Sequence, residues 1–188
     1  MGYYSREELE NMGFKSLGKN VKVSNKASIY DTDKIEIGDN SRIDDFCVLS
    51  GNISIGKYVH IVPFCLVAGG EKGIVFEDFT TISYGVKVFT QSDDYGGETL
   101  TNSTIPVKYK NEYKKEVILK KYSIVGAGSI IMAGVTLEEG TAVGAMSLVL
   151  KDTKPWGVYV GVPAKRLKER DKGLLKLKDE FLEETKEL

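Results

Sequence analysis

The sequence predicts an all-β chain wound as a parallel β-helix, with three short strands to each coil. Three observations point there. A large apolar residue recurs every six positions, at Ile37, Ile43, Leu49, Ile55, Ile61 and Val67, then at Phe76, Ile82 and Val88, then at Leu119, Val125, Ile131, Leu137, Val143 and Val149. Four residues after each of these anchors stands a small or β-branched residue or a cysteine, from Ser41, Cys47 and Ile53 through to Ser147 and Thr153, with Glu71 the exception. Matches also recur at eighteen residues: Gly38 with Gly56, Gly126 with Gly144, Cys47 with Cys65, and the charge pair Lys120 with Glu138. A helix turns by about 600° over six residues and scatters such positions around its axis. One long alternating strand needs no glycine at fixed offsets. Three six-residue turns per coil satisfy every observation. Stacked coils then pair like parallel strands about 4.8 Å apart, and the anchors fill the axis.

The elements follow in order along one domain of 188 residues. Ser5-Arg-Glu-Glu8 is a capping box, which makes residues 1–19 an N-terminal helical cap. The β-helix is expected over residues 20–154. Val23 and Ile29 form an early pair, offset from the main series by two residues at Thr32-Asp33. Between Val67 and Phe76 three extra residues fall around Gly70-Glu71-Lys72. Between Val88 and Leu119 the series pauses for a much longer insertion, a loop extruded at about residues 91–116. Long loops in compact chains are usually functional. Residues 155–188 read as a turn and a helix: Leu167, Leu174, Leu175, Leu177, Phe181 and Leu182 follow a helical spacing interrupted once by Gly173. That helix is expected to cover the open end of the solenoid or to pack on a neighbouring subunit. Cys47 and Cys65 share an inward corner and read as buried thiols acting as small apolar residues.

Composition narrows the function classes. With 41% hydrophobic and 28% charged residues and a net charge of -1, nothing favours nucleic acid or a membrane surface as partner. No apolar run approaches the roughly 20 residues of a membrane span. The N-terminus lacks a basic segment followed by an apolar one, so the expected location is the cytoplasm. A single histidine, His60, cannot supply a three-histidine zinc site, and no metal is expected.

The segment from Val125 to Arg166, VGAGSIIMAGVTLEEGTAVGAMSLVLKDTKPWGVYVGVPAKR, resembles the hexapeptide-repeat acyltransferases, in particular the maltose, galactoside and xenobiotic acetyltransferase branch. The resemblance spans roughly residues 20–167. It implies a left-handed β-helix, a homotrimer with active sites between subunits, and acetyl-CoA as co-substrate lying along the solenoid. It places CoA beside Gly126, Ala127, Gly144 and Ala145, with Lys151, Pro163, Lys165 and Arg166 near the phosphate end. The chemistry is compatible: a thin pantetheine arm suits small side chains, and phosphates suit lysine and arginine. Lys165 and Arg166 are equally compatible with the solvated start of a helix.

The same resemblance places a catalytic histidine at the start of the extruded loop. Here the segment reads Val88-Phe-Thr-Gln-Ser-Asp-Asp-Tyr95, and Asp93 stands where the histidine is expected. A hydroxyl, nearly as weak an acid as water at about 15.7, needs a base with pKa near 7, and an ordinary aspartate, near 3.9, is a poor one. An amine titrates at roughly 8–10 and is already partly neutral at pH 7, so it needs mainly positioning. Candidate catalytic residues are therefore Asp93, Asp94 and Glu71, the last expected near Asp93 at one corner of adjacent coils. Tyr84, Tyr95 and Glu98 are candidate substrate contacts. His60 should face outwards, where it could serve the loop of a neighbouring subunit. The run from Lys108 to Lys115 could contact a nucleotide or be a solvated charge run. The expected reaction is acetyl transfer to the amino group of a dTDP- or UDP-linked amino-deoxy sugar, for surface polysaccharide such as lipopolysaccharide. The alternatives are O-acetylation of a saccharide hydroxyl, which would need His60, and a non-catalytic assembly solenoid.

Overall fold

The computed structural model describes residues 2–185. The chain winds into a three-sided solenoid. One side stacks strands at 16–17, 35–37, 53–55, 74–76, 117–119 and 136–137. The second stacks 22–23, 42–43, 60–61, 81–82, 124–125, 142–143 and 157–160. The third stacks 28–29, 48–49, 66–67, 87–88, 130–131 and 148–149. All of these pairs are parallel. Every anchor from Ile37 to Val149 is buried in one continuous apolar column.

Serines and threonines sit inside this column because the corners supply their partners. Ser41 Oγ donates to Gly56 O at 2.7 Å and accepts from Val59 N at 3.0 Å. Ser129 Oγ donates to Gly144 O at 2.9 Å and accepts from Ser147 N at 3.1 Å. Among the described residues no buried side-chain nitrogen or oxygen lacks a partner, as a low-dielectric interior requires. Cys47 and Cys65 are free and buried in the same column.

Strand register records each insertion. Val48 pairs with Leu66, eighteen residues on. Ser28 pairs with Val48, twenty on, the extra two residues falling at the 3-10 turn Thr32–Lys34. Leu66 pairs with Lys87, twenty-one on, with the surplus bulging at residues 69–73. Lys87 pairs directly with Ile130, so the extruded loop leaves the coil spacing intact.

The N-terminal helix α1 (Arg6–Asn11) carries both capping-box hydrogen bonds, Glu8 N to Ser5 Oγ and Ser5 N to the Glu8 carboxylate. Its Leu9 is buried in the solenoid core.

Two boundaries differ from the sequence expectation. The solenoid begins at Ser16–Leu17, before residue 20. At the other end, Lys165–Glu169 is a strand rather than the start of a helix, paired antiparallel with Gly157–Val160. The reason is physical: strand 157–160 would otherwise end its sheet with unpaired backbone groups, and the returning segment satisfies them. Leu167, counted in the helical stripe, is 63% exposed on that strand. The helix α2 (Leu174–Glu184) starts only after Gly173; the last three residues of the expected helical segment lie outside the described residues. It does not cap the open end but lies along one corner. There the left-handed positions are occupied by Tyr58, Phe79, Tyr122 and Trp156, whose rings stack in sequence at 4.8, 5.7 and 6.2 Å. Phe181 of α2 meets Tyr58 edge-on at 5.3 Å. Gly140 sits within this ladder at φ +68, and a Cβ there would lie 2.4 Å from the Trp156 ring, so the indole needs that glycine.

Candidate active site

The extruded loop folds back over the third side of the solenoid. Its base is closed by antiparallel pairing of Gln91–Ser92 with Tyr113–Lys114 and by Lys115 N donating to Thr90 O at 2.9 Å. Between loop and solenoid lies a groove of about 460 Å³. The solenoid wall is apolar, formed by Ala68, Phe89, Ile130, Met132 and Leu148; the loop contributes Gln91, Ser92, Asp93, Tyr95 and Glu112. On a strand, the residues flanking an inward anchor point outwards. Ala68, Phe89 and Met132 each follow an anchor, and Ile130 and Leu148 each precede one.

The groove brings together two of the residues singled out in the sequence, Asp93 and Tyr95, and separates the others. Asp93 is exposed, and among the described residues its carboxylate accepts only a 3.4 Å contact from Asn102 N. Asp94 is committed to the loop itself. It accepts from Thr99 Oγ1 at 2.9 Å, Thr99 N at 2.8 Å and Gly96 N at 2.7 Å. These bonds, that from the Thr99 hydroxyl foremost, hold its carboxyl below the usual carboxylate range, which makes it a weak base. Glu98 is exposed on the loop, outside the groove lining.

Glu71 does not join Asp93. It pairs with Lys114 at 3.6 Å, is 77% exposed through its side chain, and stays outside the groove. The coils are adjacent as expected, Val67 pairing with Val88, but the return strand of the loop places a lysine beside Glu71. That lysine belongs to a short ladder. Residues 110, 112 and 114 fall on one side of an extended segment, so Lys110 and Lys114 grip Glu112 at 2.8 and 2.9 Å. The Lys110 side chain is only 7% exposed. Together the two lysines, Lys110 first, hold the Glu112 carboxyl below its usual range. The run from Lys108 to Lys115 is thus neither a solvated run throughout nor a simple basic patch, since Glu112 faces the groove.

His60 points outwards from the second side, as expected. Its Nε2 lies 2.8 Å from an oxygen of Asp44, a carboxylate only 3% exposed. Arg42 Nε donates to the same carboxylate at 2.6 Å and Tyr3 Oη at 3.1 Å. Burial pushes the Asp44 carboxyl up, but the bonds from Arg42, His60 and Tyr3 outweigh it and the net shift is downward. Asp44 was not singled out in the sequence; the signal for it was an acid two residues after Arg42 and one coil below His60.

Of the residues assigned to CoA by resemblance, Gly126, Ala127, Gly144 and Ala145 lie at the corner between the second and third sides. Met146 N donates to Ala127 O and Gly128 N to Tyr84 O, both at 2.8 Å, so Tyr84, Ala127 and Ala145 follow one another coil by coil. Tyr84 is exposed there, away from the groove. Gly126 and Gly144 owe their identity first to the stack: a Cβ on Gly126 would lie 2.5 Å from Ala145 N, and one on Gly144 2.7 Å from Val160. The C-terminal hairpin sits just above, with Tyr159 O accepting from Gly144 N. Lys165 is exposed on its second strand, and Arg166 is held to Glu169 at 2.5 Å. Lys151 is exposed in the last coil and Pro163 in the hairpin turn.

Comparison with known proteins places the architecture. Residues 34–69 match the family model for the bacterial transferase hexapeptide (six repeats). The chain is 42% identical over 184 residues to an Escherichia coli dTDP-4-amino-4,6-dideoxy-D-glucose acyltransferase, covering 96% of this chain and 95% of that one. It is 48% identical to AntD, an N-acyltransferase from Bacillus cereus solved with dTDP and 3-hydroxybutyryl-CoA, with a TM-score of 0.96 and 98% of each chain covered. A serine variant of AntD, solved with dTDP-4-amino-4,6-dideoxyglucose and coenzyme A, matches with the same TM-score over 97% of this chain and 98% of that one. A solenoid with six-residue anchors, an extruded loop over an apolar face, and relatives of this similarity along nearly the whole length lead to one assignment: the chain belongs to the hexapeptide-repeat acyltransferases.

Proposed function

We propose that the chain transfers an acyl group from acyl-CoA to the amino group of a dTDP-linked amino-deoxy sugar. The observation behind this is the groove: of the two carboxylates that line it, Glu112 is held by lysines and Asp93 has no strong partner among the described residues, facing an apolar wall under the extruded loop, in a chain 48% identical to one that holds dTDP-4-amino-4,6-dideoxyglucose and coenzyme A. The neutral amine attacks the thioester carbonyl. The C–N bond forms, the C–S bond breaks, and the CoA thiolate leaves and is protonated. Asp93 binds the ammonium form of the acceptor and accepts its excess proton. Amino groups titrating at roughly 8–10 keep a neutral fraction at pH 7, so a weak base in the right place suffices. Tyr95 contacts the sugar across the groove. Asp94 shapes the loop, and Glu71 restrains its return strand. CoA runs along the corner of Gly126, Ala127, Gly144 and Ala145, its phosphates towards Lys151, Pro163, Lys165 and Arg166.

The working unit is a homotrimer in the cytoplasm, its product destined for surface polysaccharide. Exposed Phe46 and Phe64, stacked at 5.2 Å on one corner, support self-association. The test is transfer from acyl-CoA to dTDP-4-amino-4,6-dideoxyglucose, followed by mass spectrometry. An amide product is expected; no product with the amine would overturn the reading.

A second reading has its own observation. The His60–Asp44 pair at 2.8 Å has the geometry of an oriented general base. If it acts on a hydroxyl, dTDP-glucose will be esterified and His60→Ala will abolish that activity.

A further inference from the structure

The groove is lined by two carboxylates, and the reaction above uses one of them. Gln91 pairs with Lys114 and Ser92 with Tyr113, so the next residues on the two strands are Asp93 and Glu112. Both line the groove. Like charges opposite one another on an antiparallel ladder repel, and the loop neutralises one of the two. Lys110 Nζ donates to one Glu112 oxygen at 2.8 Å, and Lys114 Nζ lies 2.9 Å from the other. Among the described residues Asp93 receives only the weak contact from Asn102 N. The two acids therefore offer one ligand different chemistry. Asp93 carries an uncompensated charge, which suits an ammonium. Glu112 has its charge cancelled and its oxygens fixed, which suits a neutral donor at a set position. A carboxylate offers about four acceptor sites. The lysines take two, and the side chain keeps 17% of its surface exposed beside the groove.

We infer that Glu112 is a substrate-binding residue: it accepts a hydrogen bond from the sugar hydroxyl on the carbon next to the amine-bearing one, while Asp93 holds the amine, so that the enzyme selects a vicinal amino alcohol. The inference rests on the amine acylation proposed above and names the second group of the acceptor that is recognised. An amine and a hydroxyl on neighbouring ring carbons match two acids one step beyond the same strand pair. Lys110, and then Lys114, holds the Glu112 carboxyl below its usual range. At neutral pH it therefore stays an acceptor and takes no proton from the reaction.

A hydrogen bond to a charged group is worth roughly a factor of thirty. The experiment measures kcat/KM for dTDP-4-amino-4,6-dideoxyglucose and for its 3-deoxy counterpart, dTDP-4-amino-3,4,6-trideoxyhexose. The donor is acetyl-CoA, or 3-hydroxybutyryl-CoA where that is turned over faster. The wild-type protein is compared with Glu112→Gln, whose folding is checked by circular dichroism. The wild type should prefer the 3-hydroxy acceptor by roughly thirtyfold. In Glu112→Gln that preference should shrink to about fivefold or less, with the 3-deoxy acceptor used nearly as well as by the wild type and the pH profile of kcat unchanged. Where Glu112→Gln does not fold, Glu112→Asp takes its place with the same expected loss of preference, since it keeps the charge between the lysines and withdraws the oxygens by one methylene. A Glu112 that only ties the loop together would lower both acceptors by one factor and keep their ratio. That result, or equal use of both acceptors by the wild type, would overturn the inference while leaving amine acylation standing. Absence of transfer to either amine would instead overturn the amine-acylating reading, and the role of Glu112 with it.

Discussion

The inner column of the solenoid and the extruded loop are built on opposite principles. In the column, side chains repeat every six residues, all are buried, and polar members are satisfied by the next coil's backbone. Each residue there does what its counterpart eighteen residues away does. In the loop nothing repeats. Its shape comes from particular pairs: Asp94 with Thr99 and Gly96, and Glu112 with Lys110 and Lys114. The column supplies stability and a flat apolar wall; the loop supplies charge at chosen points. Substitutions in the column should therefore change stability and spare the chemistry, and substitutions in the loop should do the reverse.

The largest expected effect tests the loop. Asp93→Asn should lower kcat for amine acylation by about a hundredfold, with thermal unfolding essentially unchanged because Asp93 makes one weak hydrogen bond. A large drop in melting temperature would break the contrast. In the column, Leu119→Ala should cost about 3 kcal/mol and lower Tm by roughly 6–12 °C, since Leu119 is fully buried. Measured below the transition, its kcat should stay close to that of the wild type.

Asp44 sharpens the boundary, since it belongs to the solenoid yet holds a charge network. Asp44→Asn should cost about 1–2 kcal/mol at neutral pH. Its carboxyl sits below the usual range in the folded chain. Its contribution is therefore complete above an unfolded value of about 3.9 and is lost as pH falls through the folded value. Acid titration followed by circular dichroism should show the wild type losing stability below about pH 4, and the variant losing less. The smallest effect is expected at Glu71. Its pair with Lys114 is a solvent-exposed one, so Glu71→Gln should shift stability by less than about 0.5 kcal/mol and leave kcat nearly unchanged. A catalytic Glu71 would show itself as a large loss of activity.

The column was legible in the sequence because repetition averages out local ambiguity. Both small insertions and the extruded loop showed as breaks in the six-residue series. The C-terminal strand was not legible: Leu167 fits a helical stripe, and only the open edge of strand 157–160 in the finished fold decides otherwise. In the loop, Asp93 stood out because it stands where the family resemblance places a histidine. Its separation from Glu71 depends on Lys114, a residue 21 positions beyond Asp93 whose placement needs the hairpin of Gln91–Ser92 with Tyr113–Lys114. The apolar wall left a readable trace that goes unnoticed when only anchors are followed, namely Phe89, Met132 and Leu148 in outward slots. The ring ladder of Tyr58, Phe79 and Tyr122 was hidden because aromatic residues are uncommon in left-handed turns.

The most direct test is a crystal structure of the protein with a dTDP-amino sugar and an acyl-CoA thioester analogue. The sugar amino nitrogen should lie within about 2.6–3.2 Å of an Asp93 carboxylate oxygen. An amino nitrogen and thioester found instead beside His60 and Asp44, with the groove under the loop empty, would contradict the account.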